Sequence, residues 1–196
     1  MNERIFISPG NNKLGRTPNI SLPPHTTCEL DAPCRKDCYA NNHAYKIYPL
    51  TRAAWDRNLL LWEHEPGDFE DELIAYLGAN PPRYFRWHVG GDMPDQSYAE
   101  MVERIATVFP ETLFLIYTRR IWLDRPIPWF PVPLTANLFV MRSQWIGEGV
   151  DTTERKFIVL PKGAPVPIDG SLCPGKCEGC RACWMMHKHP IYIHKH

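Results

Sequence analysis

The sequence lacks net charge: 22 Lys and Arg offset 22 Asp and Glu across 196 residues. That balance disfavours holding nucleic acid by bulk electrostatics, while leaving room for a local basic patch. No run approaches 18 uninterrupted apolar residues, so the sequence offers no membrane span. The N-terminus, Met1-Asn2-Glu3-Arg4, leads into a short apolar run and then turn residues, which is not the pattern of a signal peptide. Neither a Gly-x-Ser-x-Gly elbow nor a Walker loop occurs, leaving serine hydrolase and P-loop chemistry without support. No paired-carboxylate metal motif points to a nuclease. Repeats and low-complexity tracts are also missing. These absences describe a soluble intracellular chain.

What is present is proline, tryptophan and clustered cysteine. Twenty Pro and 12 Gly imply many fixed turns and short helices. The hydrophobic share of 44% is enough for a sizeable core, and the length is that of one domain. Within that domain, residues 1–50 read as an irregular first Cys segment, 51–163 as an α/β core, and 164–196 as a second Cys segment and tail. Ile5-Phe6-Ile7 reads as a short strand ended by a dense turn signal. Between Thr51 and Tyr76 the apolar positions recur at helical spacing in two stripes, split at Glu65-Pro66-Gly67 with Asp68 as the expected N-cap. Tyr84 to Val89 reads as a strand, and Ser97 to Val108 as a helix with Ser97 and Glu100 as a capping box. Leu113 to Tyr117 is an apolar strand of the kind buried on both faces. A Pro-rich segment (Pro126, Pro128, Pro131, Pro133) leads to strands at Asn137–Met141 and Phe157–Leu160. The alternation predicts an α/β fold: a partial barrel or open, largely parallel sheet of about five strands, with Cys-rich N- and C-terminal segments.

The seven Cys are an odd, clustered set in a chain without a secretion signal, which favours metal ligation over disulfides. Cys173, Cys177, Cys180 and Cys183 are spaced x3, x2, x2, like the compact runs that wrap iron–sulfur clusters. Cys28, Cys34 and Cys38 are spaced x5, x3 and suit three irons of a four-iron cubane. Two [4Fe-4S] clusters would need eight ligands against seven Cys, so one iron is left to a non-Cys ligand such as His25, His43 or a small molecule. An open metal position is what a catalytic site keeps. Zinc held by Cys28, Cys34, Cys38 and one His is the alternative.

Asn12-Lys13-Leu14-Gly15, Ile20-Ser21-Leu22-Pro23, Thr27-Cys28, Cys34 and Cys38-Tyr39-Ala40 resemble the opening of the gene product eighty-eight family of phage proteins. His88-x-Gly90-Gly91-Asp92, Tyr98, Pro110, Tyr117-Thr118-Arg119 and Cys173 to Trp184 continue that resemblance. It implies a location in the cytoplasm of a phage-infected host and leaves the biochemical function open. More distantly, the chain resembles radical S-adenosylmethionine (SAM) enzymes, whose three-Cys loop is usually spaced x3, x2. That resemblance implies a SAM-binding cluster on Cys28, Cys34 and Cys38 and an auxiliary one on Cys173, Cys177, Cys180 and Cys183. It also implies that Gly90, Gly91 and Asp92 meet SAM.

Functional groups of parallel sheets gather at the C-terminal ends of strands. There the sequence places His88, Tyr117, Arg119, Arg142 and Ser143 as candidate substrate-binding residues, with the two arginines suited to an anion. Arg86 and His88, two apart, are expected on one strand face. Trp55, Trp62 and Trp87 fit core packing. The tail from His187 to His196 reads as a solvated end. Two functions remain: an iron–sulfur enzyme acting on an unknown small molecule or nucleic acid, or a zinc- or iron–sulfur-stabilised binding module for nucleic acid or a host protein. Oligomeric state is not legible.

Overall fold

The computed structural model describes residues 5–120, 135–145, 156–185 and 189–195. The Pro-rich segment with Pro126, Pro128, Pro131 and Pro133, the extreme N-terminus, His187 and His196 lie outside the described residues. The elements in chain order are β1 (Ile7–Ser8), β2 (Asn19–Ile20), α1 (Pro49–His64), α2 (Pro66–Ala79), β3 (Tyr84–Trp87), α3 (Gln96–Val108), β4 (Leu113–Thr118), β5 (Leu138–Trp145), β6 (Lys156–Leu160), β7 (Ser171–Leu172), α4 (Cys177–Cys180) and β8 (Ile191–His194). The eight strands form one open sheet in the order β1-β2-β3-β4-β5-β6-β8-β7. Among the described residues β1 runs antiparallel to β2, and the other strand pairs are parallel.

The α/β class and the largely parallel sheet agree with the sequence, but the described residues form eight strands rather than about five. The three unforeseen ones, β2, β7 and β8, have two to four residues. That is too short for a period-two pattern to register. The strand β8 also overturns the reading of the tail as a solvated end. Ile191 and Tyr192 are buried, and β8 pairs with both β6 and β7.

Strand β4 explains the layering. Its Phe114 and Ile116 belong to a core shared with α1, α2 and α3, where Trp62, Phe69, Leu73 and Tyr98 pack. Leu115, one residue out of phase, joins a second core on the opposite face with Leu14, Phe139, Cys183 and Trp184. The helices therefore cover one face, and the N-terminal loop and C-terminal Cys segment cover the other. Burial on both faces accounts for the unbroken apolar run.

Two helix starts differ from expectation. In α2, Pro66 takes the first helical position, where its fixed φ and missing N–H cost nothing. Glu65 is the N-cap, and Asp68 sits in the first turn. In α3 the cap is Asp95, not Ser97: one Asp95 carboxylate oxygen accepts from the Tyr98 amide at 2.8 Å. Its other oxygen accepts from Trp62 Nε1 at 2.9 Å, tying α1 to α3.

Candidate metal centre

A cavity of about 230 Å³ opens at the C-terminal ends of the parallel strands. Cys28, Cys34 and Cys38 all line it. Local turns hold their loop against the sheet. The Thr27 hydroxyl donates to Pro23 O at 3.0 Å, Arg35 donates to His25 O at 2.9 Å, and Arg120 donates to Thr27 O at 2.7 Å. Cys38 stands just before a π-helical segment, Ala40–Tyr45, where the Asn41 amide donates toward Cys38 Sγ at 3.4 Å. Burial pushes the Cys28 thiol up to about 11, opposed by the His25 amide, with Asp92 and the other two thiols adding to the rise. Burial also raises Cys34, against the nearby Arg119. Such thiols stay protonated unless a metal cation lowers them, which is how a thiolate site couples metal uptake to proton release.

The C-terminal group is built differently. The Cys173 amide donates to Tyr192 O on β8, and the Cys177 amide donates to Lys13 O in the N-terminal loop, both at 2.7 Å. Arg181 adopts the left-handed conformation that caps α4. Its guanidinium stacks on Tyr84 at 4.3 Å and donates to the Thr17 hydroxyl at 2.6 Å. Cys183 is buried in the second core and accepts a 2.8 Å hydrogen bond from the Tyr117 hydroxyl. Burial lifts Cys183 to about 11 and raises Cys177. None of these four cysteines lines the cavity. All seven Cys are free thiols. Among the described residues, no three His, Cys, Asp or Glu side chains stand close enough to hold a single metal ion.

The Gly90-Gly91-Asp92 turn lies in the cavity wall, yet its composition has an internal cause. A Cβ on Gly90 would come within 2.3 Å of the Trp55 ring. Gly91 has φ +78°, and a Cβ there would meet Leu22 O at 2.6 Å and the Thr27 hydroxyl at 2.7 Å. Asp92 is a brace: its two carboxylate oxygens accept from the Met93 and Arg119 amides at 2.8 Å, and its own amide donates to the Thr27 hydroxyl. Burial lifts its carboxyl to about 6 despite those bonds. The brace joins the ends of β3 and β4 to the residue preceding Cys28.

His88 also lines the cavity but leaves the strand face it was expected to share with Arg86. Its φ of +53° ends the pleat at Trp87, and its ring turns to the helix side, 3.1 Å from the Tyr98 hydroxyl. Arg86 instead stacks on Tyr117 on the opposite face, 4.3 Å from the ring centre. Tyr117, Arg119 and Ser143 line the cavity, and Arg119 donates to Ser143 O at 3.0 Å. Arg142 does not reach it. In β5 the alternate residues Ser143 and Trp145 line the cavity, so Arg142 falls on the other face, beside its register partner Lys156. Period-two alternation makes that outcome unavoidable once Ser143 is a wall residue.

Sequence reasoning left Arg86, Tyr39, Trp145 and Lys13 out of the site, although all four line the cavity. Arg86 carried a signal, an arginine inside an otherwise apolar strand. Trp55, Trp62 and Trp87 are buried, as expected of core residues.

No curated protein and no solved structure matches the chain. A family match covers residues 5–144, which includes the three-Cys loop, β3, β4 and the Gly90-Gly91-Asp92 turn but stops short of the C-terminal Cys group. With that ordered set matched across most of its length, the chain belongs to the gene product 88 family.

Proposed function

We propose that this protein is an iron–sulfur protein. In this reading Cys28, Cys34 and Cys38 hold a [4Fe-4S] cluster with one iron left open to the cavity. Cys173, Cys177, Cys180 and Cys183 hold a second metal group, packed behind the cavity residues Tyr117 and Phe157. The observation that carries the reading is the placement of all three thiols of the N-terminal loop on one cavity at the strand ends.

The residues present fit such a group. A four-iron cluster takes its thiolates on separate irons, and the three cysteines lining one cavity would supply three of them. The Asn41 amide directed at Cys38 Sγ is the kind of hydrogen bond that tunes a cluster. When bound, an open-site cluster supplies one-electron chemistry and an iron that can take a small ligand, with SAM a candidate.

The chain's own residues then divide the work. Asp92 and Thr27 fix the three-Cys loop against the strand ends. Gly90 and Gly91 allow that close approach. Tyr117, Arg119 and Ser143 form the floor on which a substrate would lie.

The deciding experiment is iron, sulfide and zinc content, with the absorption spectrum, on protein purified without oxygen. About eight irons and eight sulfides per chain are expected for two clusters. Zinc in place of iron would end the cluster reading and make the chain a zinc-stabilised binding module. Incubation of reduced, iron-loaded protein with SAM then tests the candidate ligand: absence of a deoxyadenosine product would remove SAM cleavage while leaving the cluster.

A further inference from the structure

Arg86 is 8% exposed, projects from β3 into the cavity wall, and has no carboxylate in salt-bridge contact among the described residues. Its Nε is buried with no hydrogen-bond partner, and one terminal nitrogen makes only a long 3.4 Å contact to His88 O. An arginine's Nε and adjacent terminal nitrogen form the fork that grips a carboxylate or phosphate with two parallel bonds. The Cys177 and Cys183 sulfurs lie within reach of its charge, yet the buried Nε has no hydrogen-bond partner; leaving such a donor unmet is costly, and an anion in the cavity would meet it.

Around the same cavity, rings alternate with cations. Arg86 lies over Tyr117, Lys13 Nζ lies 5.9 Å from the Phe157 ring centre, and Lys195 Nζ lies 5.4 Å from that of Trp145. Tyr117 and Phe157 meet edge to face at 4.7 Å, making a rigid aromatic corner. Lys195 is paired with Asp37 at 2.6 Å, which leaves Arg86 as the buried anchor.

We propose that the cavity is a binding site for a small organic anion, a carboxylate or phosphate carried on a planar ring system, with Arg86 gripping the anionic group and the Tyr117–Phe157 corner packing the ring.

The test is calorimetric titration of the full chain, as purified without oxygen and with its iron content recorded. The probes are adenosine 5′-monophosphate against adenosine, and benzoate against benzyl alcohol. At least one anion is expected to bind about tenfold or more tightly than its uncharged counterpart, the margin of one charge-assisted grip. Phosphate-only or carboxylate-only binding identifies which anion the site takes. Arg86→Gln is expected to abolish that margin, and Lys13→Ala, a change at the rim, to weaken binding a few-fold. Should Arg86→Gln fail to fold, the charged-against-uncharged comparison on the unmodified chain still decides. Equal binding of charged and uncharged probes, no binding of either anion, or a margin that survives Arg86→Gln in a folded variant overturns the proposal. Anion binding without iron would end the cluster reading alone, and iron without anion binding would end this one alone.

Discussion

Gly91 is the residue with the least latitude in the cavity wall. Its positive φ and the backbone oxygen of Leu22, 2.6 Å from where a Cβ would stand, leave no rotamer to relax into. Gly91→Ala is expected to cost about 2–4 kcal/mol, combining left-handed strain with a backbone shift. Urea unfolding checks it, and a loss below about 0.5 kcal/mol would mean the turn is softer than described. His88 supplies a pH test. Burial, aided by the Arg86 charge, pushes its ring down to about 3, so the folded chain keeps it neutral while the unfolded chain protonates it near 6.5. Its contribution to stability is present above pH 6.5 and is lost as pH falls toward 3, by about 1.4 kcal/mol per unit. Asp92 opposes it: with a folded pKa near 6 against an ordinary 3.8, its protonated form favours the folded chain as pH falls through that window. His88→Asn, which tolerates the left-handed backbone, removes only the first effect. Relative to the unmodified chain the variant is expected to gain stability steadily between pH 6 and 4. A difference that stays constant across that range would show that the ring is not kept neutral by burial.

At the scale of elements, the helix caps separate what sequence rules select from what geometry selects. Ser97 with Glu100 satisfies the capping-box pattern, yet Asp95 accepts from the Tyr98 amide and also holds the Trp62 indole. Asp95→Ala is therefore expected to cost about 2 kcal/mol, near the upper end for a lost cap. Ser97→Ala is expected to stay within about 0.5 kcal/mol. Chemical denaturation of the pair reads the contrast directly, and equal effects would restore Ser97 as the cap. Strand β4 was legible because burial on both faces writes an unbroken apolar run. Strand β8 was not, since Ile191-Tyr192-Ile193 lies between histidines and its pairing with β6 is a long-range event that leaves no local period. Arg142 shows the limit from the other side: its strand was legible, but the face it took depended on the register of β5 with β4 and β6.

For the whole molecule, the two Cys groups are linked through one face of the sheet: Tyr117 lines the cavity and donates to Cys183 Sγ. The N-terminal trio faces the cavity, and the C-terminal four bind the Lys13 loop, β8 and the second core together. On the two-cluster reading the groups load independently. Cys28→Ser and Cys180→Ser are each expected to lose about half of the iron. Only the C-terminal change is expected to lower thermal stability substantially, because that group fastens distant parts of the chain. Iron analysis and melting curves on the two variants check this, and loss of all iron in either one would mean that the groups share ligands.

The sequence by itself determined the parallel α/β plan, the membership of the gene product 88 family and the division of seven cysteines into three and four. Each of these is written in local spacing: apolar periods, turn residues, and intervals between thiols. Tertiary structure alone decided which of those residues share a wall. It turned His88 away from Arg86 through one left-handed residue, sent Arg142 to the opposite face by strand alternation, and made Asp92 a brace between two strand ends. It also gathered Arg86, Tyr117 and the three-Cys loop around one cavity from segments some 80 residues apart. Contacts of that range arise from strand order and register, which no local pattern encodes.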